Sequence, residues 1–312
     1  MKDWRIIHGA ALDELEKLES ESAQCCITSP PYWGLRDYDC ARQIGLEPSP
    51  DQYINNLLTT FEQVRRVLHP SGTLWLNIGD TYIKSKGLAR DPTNKHKKDG
   101  GKYPKTQPNR KRFPNLKHKD MAGIPWTLAL KLRAAGWYLR ADIIWNKPNI
   151  MPLSVTDRPT TCHEYIFLLT KSDKYYYDNE AIKEESLYYR EAHWDNGRNG
   201  HFGGLSHSGQ KSTTRKFPAD PTKRNKRTVW TVNTKPFKDS HFAVFPEKLI
   251  LPCVLAGTKP GDLVIDPFCG SGTTGVVALA NYRNFIGIEI NKEYVEMSTE
   301  RLKPYNNQLR FE

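Results

Sequence analysis

The apolar and polar positions along the chain set the first reading. Residues 4–8, Trp-Arg-Ile-Ile-His, make a short strand that ends at Gly9. Over residues 10–18, Leu12, Leu15 and Leu18 share one helical face. Residues 24–28 read as a second strand, stopped by Pro30-Pro31. Over residues 51–68, Ile54, Leu57, Leu58, Phe61, Val64 and Leu68 keep helical spacing, and Pro70-Ser71-Gly72 ends the run. Residues 73–78 alternate like a strand. A helix over 124–135 stops at Gly136, and strands follow over 137–145 and 164–170. Regularity lapses over 181–235, which is rich in Gly, Ser, Asn, Thr and charge. It returns as a helix over 245–256, a strand over 262–265, a helix over 274–280, a strand over 284–288 and a helix over 292–302. Strands alternating with helices predict an α/β fold with a mostly parallel central sheet and helices on both faces. The chain shows no internal repeat.

Length and composition sharpen this picture in two places. A chain of 312 residues makes one large domain or two smaller ones and can bury a sizeable core. Residues 1–10 carry no long apolar run with a cleavage site, so no secretory signal is expected. The longest apolar stretches, such as 263–265 and 276–280, fall far short of a membrane span. None of the six cysteines forms a C-x-x-C pair and no histidine pair completes a zinc set, so no metal is expected and a reducing cytoplasm fits.

The net charge of +11 is concentrated. Residues 84–119 hold 13 Lys or Arg against Asp91 and Asp99, an excess equal to that of the whole chain. Their Gly and Pro content predicts a loop, placed at 83–120. A second basic stretch, 211–227, sets seven Lys or Arg against Asp220. Two such concentrations point to a polyanion. Lys84, Lys86, Arg90, Lys97, Lys98, Arg110, Lys111 and Arg112 are candidate phosphate contacts. Arg190, Arg215, Arg224 and Arg227 are candidates for base edges in a major groove.

Two motifs carry the chemistry. Residues 262–275 run as strand, glycine turn and helix start. Glycines let the backbone approach a ligand closely, and a helix start offers free amides. Gly270, Gly272 and Gly275 satisfy G-x-G-x-x-G, which alone fits a dinucleotide. Glu289 stands at the tip of the next strand, where an acid accepts ribose hydroxyls. The second motif is Thr28-Ser29-Pro30-Pro31-Tyr32, at the end of the second strand. An exocyclic base amine is a poor nucleophile because its lone pair is delocalised into the ring. Ser29 Oγ and the Pro30 carbonyl can accept the amine's protons and localise that pair. Pro30-Pro31 stiffens the chain around them, and Tyr32 offers a flat face for an extruded base. This partner motif, and Asp266-Pro267-Phe268 ahead of the glycines, favour S-adenosyl-L-methionine over a nicotinamide dinucleotide.

On these residues the chain resembles the DNA amino-methyltransferases. Their F-x-G-x-G is matched by Phe268, Gly270 and Gly272, and their (D/N/S)-P-P-(Y/F/W) by Ser29 to Tyr32. With the catalytic motif first, the order resembles the β class. That implies a circularly permuted Rossmann-like methyltransferase: a catalytic half at 1–180, target recognition at 181–235 and a cofactor half at 236–312. The resemblance implies cofactor contacts at Asp266, Phe268, Gly270, Ser271, Gly272, Thr273 and Glu289. Thr28 and Gly9 join them, with His241, Phe245 and Pro246 at the methionine end. Trp145-Asn146-Lys147-Pro148-Asn149 and Glu164-Tyr165 resemble a further family block. The family often places Asp after the glycine that ends the first strand; here Gly9 is followed by Ala10, which leaves Asp13 as a substitute or the contact absent.

Ser at the first motif position is typical of cytosine-N4 enzymes and Asp of adenine-N6 enzymes. Thr28 to Tyr38, TSPPYWGLRDY, is similar to the catalytic block of enzymes from CCCGGG restriction systems. The resemblance therefore implies methylation of cytosine N4 in double-stranded DNA after base flipping, with adenine N6 as the alternative. It implies a monomer or homodimer, nucleoid-associated in a prokaryotic or phage setting, with a cognate restriction endonuclease as a partner. An RNA base or a protein amide would be a different acceptor for the same chemistry. Cys253, the only cysteine after a proline, reads as core, and Asp80 reads equally as a cleft residue or a turn cap.

Overall fold

A computed structural model describes residues 3–83, 115–152, 154–186, 222–236 and 243–305. In chain order the elements are β1 (Trp4–His8), α1 (Ala11–Glu16), β2 (Ala23–Thr28), α2 (Pro50–Val67), β3 (Leu68–Ile78), α3 (Ile124–Ala134), β4 (Tyr138–Asn146) and β5 (His163–Thr170). Then come β6 (Glu184–Glu185), β7 (Lys223–Arg224), β8 (Val229–Thr231), β9 (Lys235–Pro236) and β10 (Ala243–Val244). The chain continues through α4 (Glu247–Gly257), β11 (Leu263–Asp266), α5 (Thr273–Ala280), β12 (Asn284–Glu289) and α6 (Lys292–Leu302).

The longest helix shows how the sequence dictates these elements. Ser49 caps α2 by accepting the Gln52 amide at 3.2 Å, and Pro50 occupies its first turn, where no intrahelical N–H is needed. Tyr53, Ile54, Leu57, Phe61 and Val64 recur every three or four residues and are buried. They meet Leu128 and Leu132 of α3 and Leu74, Leu76 and Phe167 of the sheet in the main core.

The main sheet runs β1-β12-β11-β2-β3-β5-β4-β8. β1, β12, β11, β2 and β3 are parallel neighbours, β5 is antiparallel to both β3 and β4, and β8 joins β4 in parallel. α2 packs between α1 and α3, α5 packs between α4 and α6, and each group lies on the sheet. Two consequences matter for a site. β2 and β11 are neighbours, so the loops after Thr28 and Asp266 emerge side by side. β5 runs the other way, so its first residues rise at that same edge, with Tyr165 opposite Ile78 and Glu164 opposite Trp145.

The structure departs from the sequence reading in three places. Pro70-Ser71-Gly72 does not separate α2 from the next strand. It lies inside β3, where the ladder to β2 is irregular between Ala23 and Cys25. A bulge is where a strand tolerates proline. Regular structure also resumes before residue 235, because β8 adds an edge strand through buried Trp230. The chain accordingly divides into two compact units, Met1–Asp178 with Arg227–Glu312, and Asn179–Lys226. In the second unit, β6 pairs antiparallel with β7 and Arg224 bridges Glu184 at 3.0 Å. Lastly, β9 and β10 form a two-residue ladder that has no signature in the sequence pattern. Among the described residues no helix is long and apolar enough to cross a membrane.

Candidate functional site

A cavity of about 610 Å³ opens at the carboxyl ends of β2 and β11. Ser29, Pro30 and Tyr32 from the first loop and Phe268, Gly270 and Ser271 from the second line it together. Ligands of open parallel sheets bind at this edge. The two motifs are far apart in sequence, yet Thr28 Oγ1 donates to Asp266 Oδ1 at 2.7 Å across 238 positions.

The glycine turn is built by specific contacts. Gly270 has φ of +53°, and a methyl added there would meet no atom within 4 Å. Gly272 has φ of +79° and caps α5 against Ser298, whose Cβ would lie 2.9 Å from an added methyl. Glu289 lines the cavity, accepting the Gly270 amide at 2.7 Å and the Asn291 amide at 2.8 Å. Burial raises its pKa, and the Asn291 and Gly270 amides oppose that rise. Its remaining lone pairs suit two vicinal hydroxyls. Gly9, Thr273 and Phe245 also line the cavity. An open Gly270 beside a buried carboxylate is a cradle that fits a ribosyl ligand. Arg301 of α6, which sequence reasoning missed, braces the turn by donating to the Ser271 carbonyl at 2.5 Å and to Thr273 Oγ1 at 3.2 Å.

Several expected cofactor residues do not lie on the wall. Thr28 and Asp266 are buried beneath the turn. Asp266 accepts from Thr28, from Thr274 at 2.6 Å and from the Phe268 amide at 3.1 Å. All its lone pairs point into the protein, which makes it a brace. Burial lifts its pKa from 3.8 to about 6, against the Thr274, Thr28 and Phe268 hydrogen bonds. Gly272 is turned toward α6, and Pro246 is buried at the start of α4 with its carbonyl accepting the Leu249 amide. Asp13 does not line the cavity, where Ala10 and Leu12 do; its two oxygens pair with the Arg42 guanidinium. His241 lies outside the described residues.

The Ser29–Tyr32 loop is held as firmly. Tyr53 donates to the Pro31 carbonyl at 2.8 Å, which fixes the Pro-Pro segment from α2. Tyr32 lines the cavity and donates to Glu164 Oε2 at 2.7 Å. Glu164 also accepts Asn77 Nδ2 at 3.3 Å and pairs with Lys147. Burial first, then the charge and hydrogen bond of Glu164, push the Tyr32 pKa well up, while the nearby Ser29 hydroxyl opposes this. The sequence marked Lys147 and Glu164 only as part of a family block and gave Asn77 no role. Asp80 resolves as a cap: its carboxylate accepts the amides of Thr81, Gly123 and Ile124 at the start of α3. Cys253 is buried in α4.

Of the candidate DNA contacts, Lys84, Lys86, Arg90, Lys97, Lys98, Arg110, Lys111, Arg112, Arg190 and Arg215 lie outside the described residues. Arg224 is paired with Glu184, and Arg227 is exposed just before β8.

Comparison with known proteins agrees with this geometry. A family model described as DNA methylase matches residues 23–300. The chain is 49% identical to the type II methyltransferase M.Cfr9I of Citrobacter freundii, over 96% of this chain and 87% of that one. Its fold is similar to the PvuII DNA methyltransferase (cytosine-N4-specific), with a TM-score of 0.65, 18% identity and coverage of 99% and 89%. It is also similar to a putative DNA modification methylase from Thermus thermophilus complexed with S-adenosyl-L-methionine, with a TM-score of 0.57, 20% identity and coverage of 98% and 97%.

Proposed function

Since the chain belongs to the N4/N6 family of DNA methylases, which use S-adenosylmethionine as cofactor, we propose that it methylates N4 of a cytosine flipped out of duplex DNA. The supporting observation is that Ser29 and Pro30 share one cavity with Gly270 and Glu289. S-adenosylmethionine, when bound, supplies a methyl group already activated on a sulfonium. Everything else falls to this chain. Glu289 would accept the ribose hydroxyls, and the turn at Gly270 and Ser271, which lines the cavity, would lie against the cofactor. Tyr32 stacks on the extruded base, with Ser29 Oγ and the Pro30 carbonyl accepting the two amine protons. The nitrogen's lone pair, localised by those two acceptors, would then be directed at the methyl that the cofactor would supply.

The choice of cytosine rests on Ser29, the residue typical of the N4 branch. Segment 181–235 is assigned to sequence recognition, and basic segment 84–119 to the phosphate backbone. We further assign the enzyme to a prokaryotic or phage cytoplasm, beside a cognate restriction endonuclease.

The test is methylation of a mixed duplex library, CCCGGG included, with nucleosides resolved by mass. N4-methylcytosine is the expected product, and N6-methyladenine would overturn the base assignment. Ser29→Ala is expected to lower turnover at least 100-fold while S-adenosylhomocysteine still binds. Full turnover in that variant would remove Ser29 from the chemistry.

A further inference from the structure

The cavity wall beyond Tyr32 holds a charged pair that the chemistry above leaves unused. Lys147 follows β4, and Glu164 stands near the start of the neighbouring β5. Their side chains are only 15% and 17% exposed, Lys147 pairs with Glu164 Oε1, and both residues line the cavity. A largely buried ion pair gains little stability over apolar residues of similar size, so one kept in the wall of a site points to a ligand.

The pair is held from several sides. Glu164 Oε2 accepts the Tyr32 hydroxyl at 2.7 Å and the Asn77 side-chain amide at 3.3 Å, and that amide also donates to the Tyr165 carbonyl at 3.1 Å. The Lys147 backbone amide donates to the Cys162 carbonyl at 2.8 Å. Its ammonium lies 4.1 Å from the centre of the Trp145 ring, which is fixed in turn by a bond from Nε1 to the Val232 carbonyl at 2.8 Å. Three donors thus converge on Glu164. An ammonium carries three N–H and accepts nothing. Among the described residues Glu164 is the one side chain that accepts from Lys147, so the cation keeps donors for a ligand.

We propose that Lys147 donates to O2 of the flipped cytosine and thereby makes the cavity choose cytosine over adenine. The inference rests on the reading that Ser29 and the Pro30 carbonyl take the amine protons. Along the pairing edge of cytosine, the amino donor is followed by two acceptors, N3 and O2. Along that of adenine it is followed by N1 and then by C2–H, which accepts nothing. The wall runs from the acceptors of the 29–32 loop, past the Tyr32 hydroxyl, to an ammonium, and this matches the cytosine order. Adenine would leave the ammonium facing a carbon-bound hydrogen, and a site that strands a polar group discriminates strongly. Lys147 is therefore a specificity residue, and Glu164, which aims and neutralises it, is a positioning residue.

The test uses the full-length protein and two duplexes that differ only at the target position, cytosine in one and 2-thiocytosine in the other. Sulfur in place of O2 accepts hydrogen bonds weakly. Methylation is measured as kcat/KM for wild type, Lys147→Met and Lys147→Met/Glu164→Gln. The wild-type preference for oxygen, divided by that of each variant, is expected to be about tenfold or more. Effects of sulfur on base pairing and flipping are common to all three proteins and cancel in this quotient. A quotient below about threefold would overturn the proposal. So would a variant that melts like wild type but loses S-adenosylhomocysteine affinity, because the ammonium would then serve the cofactor. If Lys147→Met does not fold with Glu164 left unpaired, the double variant decides, since it removes both charges. Failure of the underlying reading looks different: wild type would then yield no N4-methylcytosine from the unmodified duplex.

Discussion

Asp266 poses the sharpest electrostatic problem at a single residue. Its carboxyl is 1% exposed and receives three hydrogen bonds, yet burial still carries its pKa from 3.8 to about 6. Between those values the folded chain holds a proton that the unfolded chain has released. Stability therefore falls as pH rises through that window and levels off above it. A shift of two units corresponds to about 3 kcal/mol. Asp266→Asn cannot ionise, so the melting temperature of the variant minus that of wild type should climb from pH 4 to pH 6 and then plateau. Fluorimetric melts in half-unit steps read this directly; a flat difference would show that the carboxyl titrates normally, and a falling one that its pKa is lowered. The same residue marks a limit of sequence reading. The acid ahead of the glycines was visible, but not the direction of its side chain. Thr28 and Thr274 draw the carboxylate inward, and no spacing encodes that.

The glycine turn and the helix after it show how one motif divides its work across an element. Gly270 opens on the cavity, whereas a methyl on Gly275 would come within 2.7 Å of two Phe285 ring carbons. Gly275→Ala overpacks the contact between α5 and the sheet, which typically costs about 1–3 kcal/mol. It should melt several degrees below wild type. Gly270→Ala meets no neighbour and carries mainly the left-handed backbone cost, about 1–2 kcal/mol. Its signature should be weaker S-adenosylhomocysteine binding by about tenfold in calorimetry. If Gly275→Ala proved the weaker binder and Gly270→Ala the less stable protein, the division would be reversed. The motif thus looked uniform in sequence, while in the structure Gly275 packs against Phe285 and Gly270 opens on the cavity. Other elements follow the same logic. α2, with its recurring apolar face, was legible to within a residue. β8 buries little besides Trp230, and β9 and β10 have two residues each, too few for any period to register. Glu164 was legible as a residue and invisible as a site, because its place depends on an antiparallel register set between distant strands.

Over the whole molecule, charge and fold are separable. Segment 84–114 carries most of the basic excess, and the backbone on either side of it is tied into a closed base. The Ile83 amide donates to the Asp120 carbonyl at 2.9 Å, Lys119 to Ile83 at 2.8 Å and Ala122 to Thr81 at 2.8 Å. Asp80 holds the amides of Gly123 and Ile124 just beyond. The described residues on either side thus hold together through their own hydrogen-bonded stem. Loop closure depends only weakly on loop length. Replacing residues 86–112 with a short Gly-Ser linker should therefore leave the melting temperature within a few degrees and S-adenosylhomocysteine affinity unchanged. It removes ten Lys or Arg. Phosphate contacts release counterions, so the logarithm of DNA affinity falls linearly with the logarithm of salt, in proportion to their number. The shortened protein should bind duplex DNA at least tenfold more weakly at about 50 mM salt, with a slope shallower by several units. Because the slope counts phosphate contacts and the low-salt affinity includes every other contact, the two readings separate charge from shape. A slope equal to that of wild type would mean that this segment's charge serves something other than the DNA backbone.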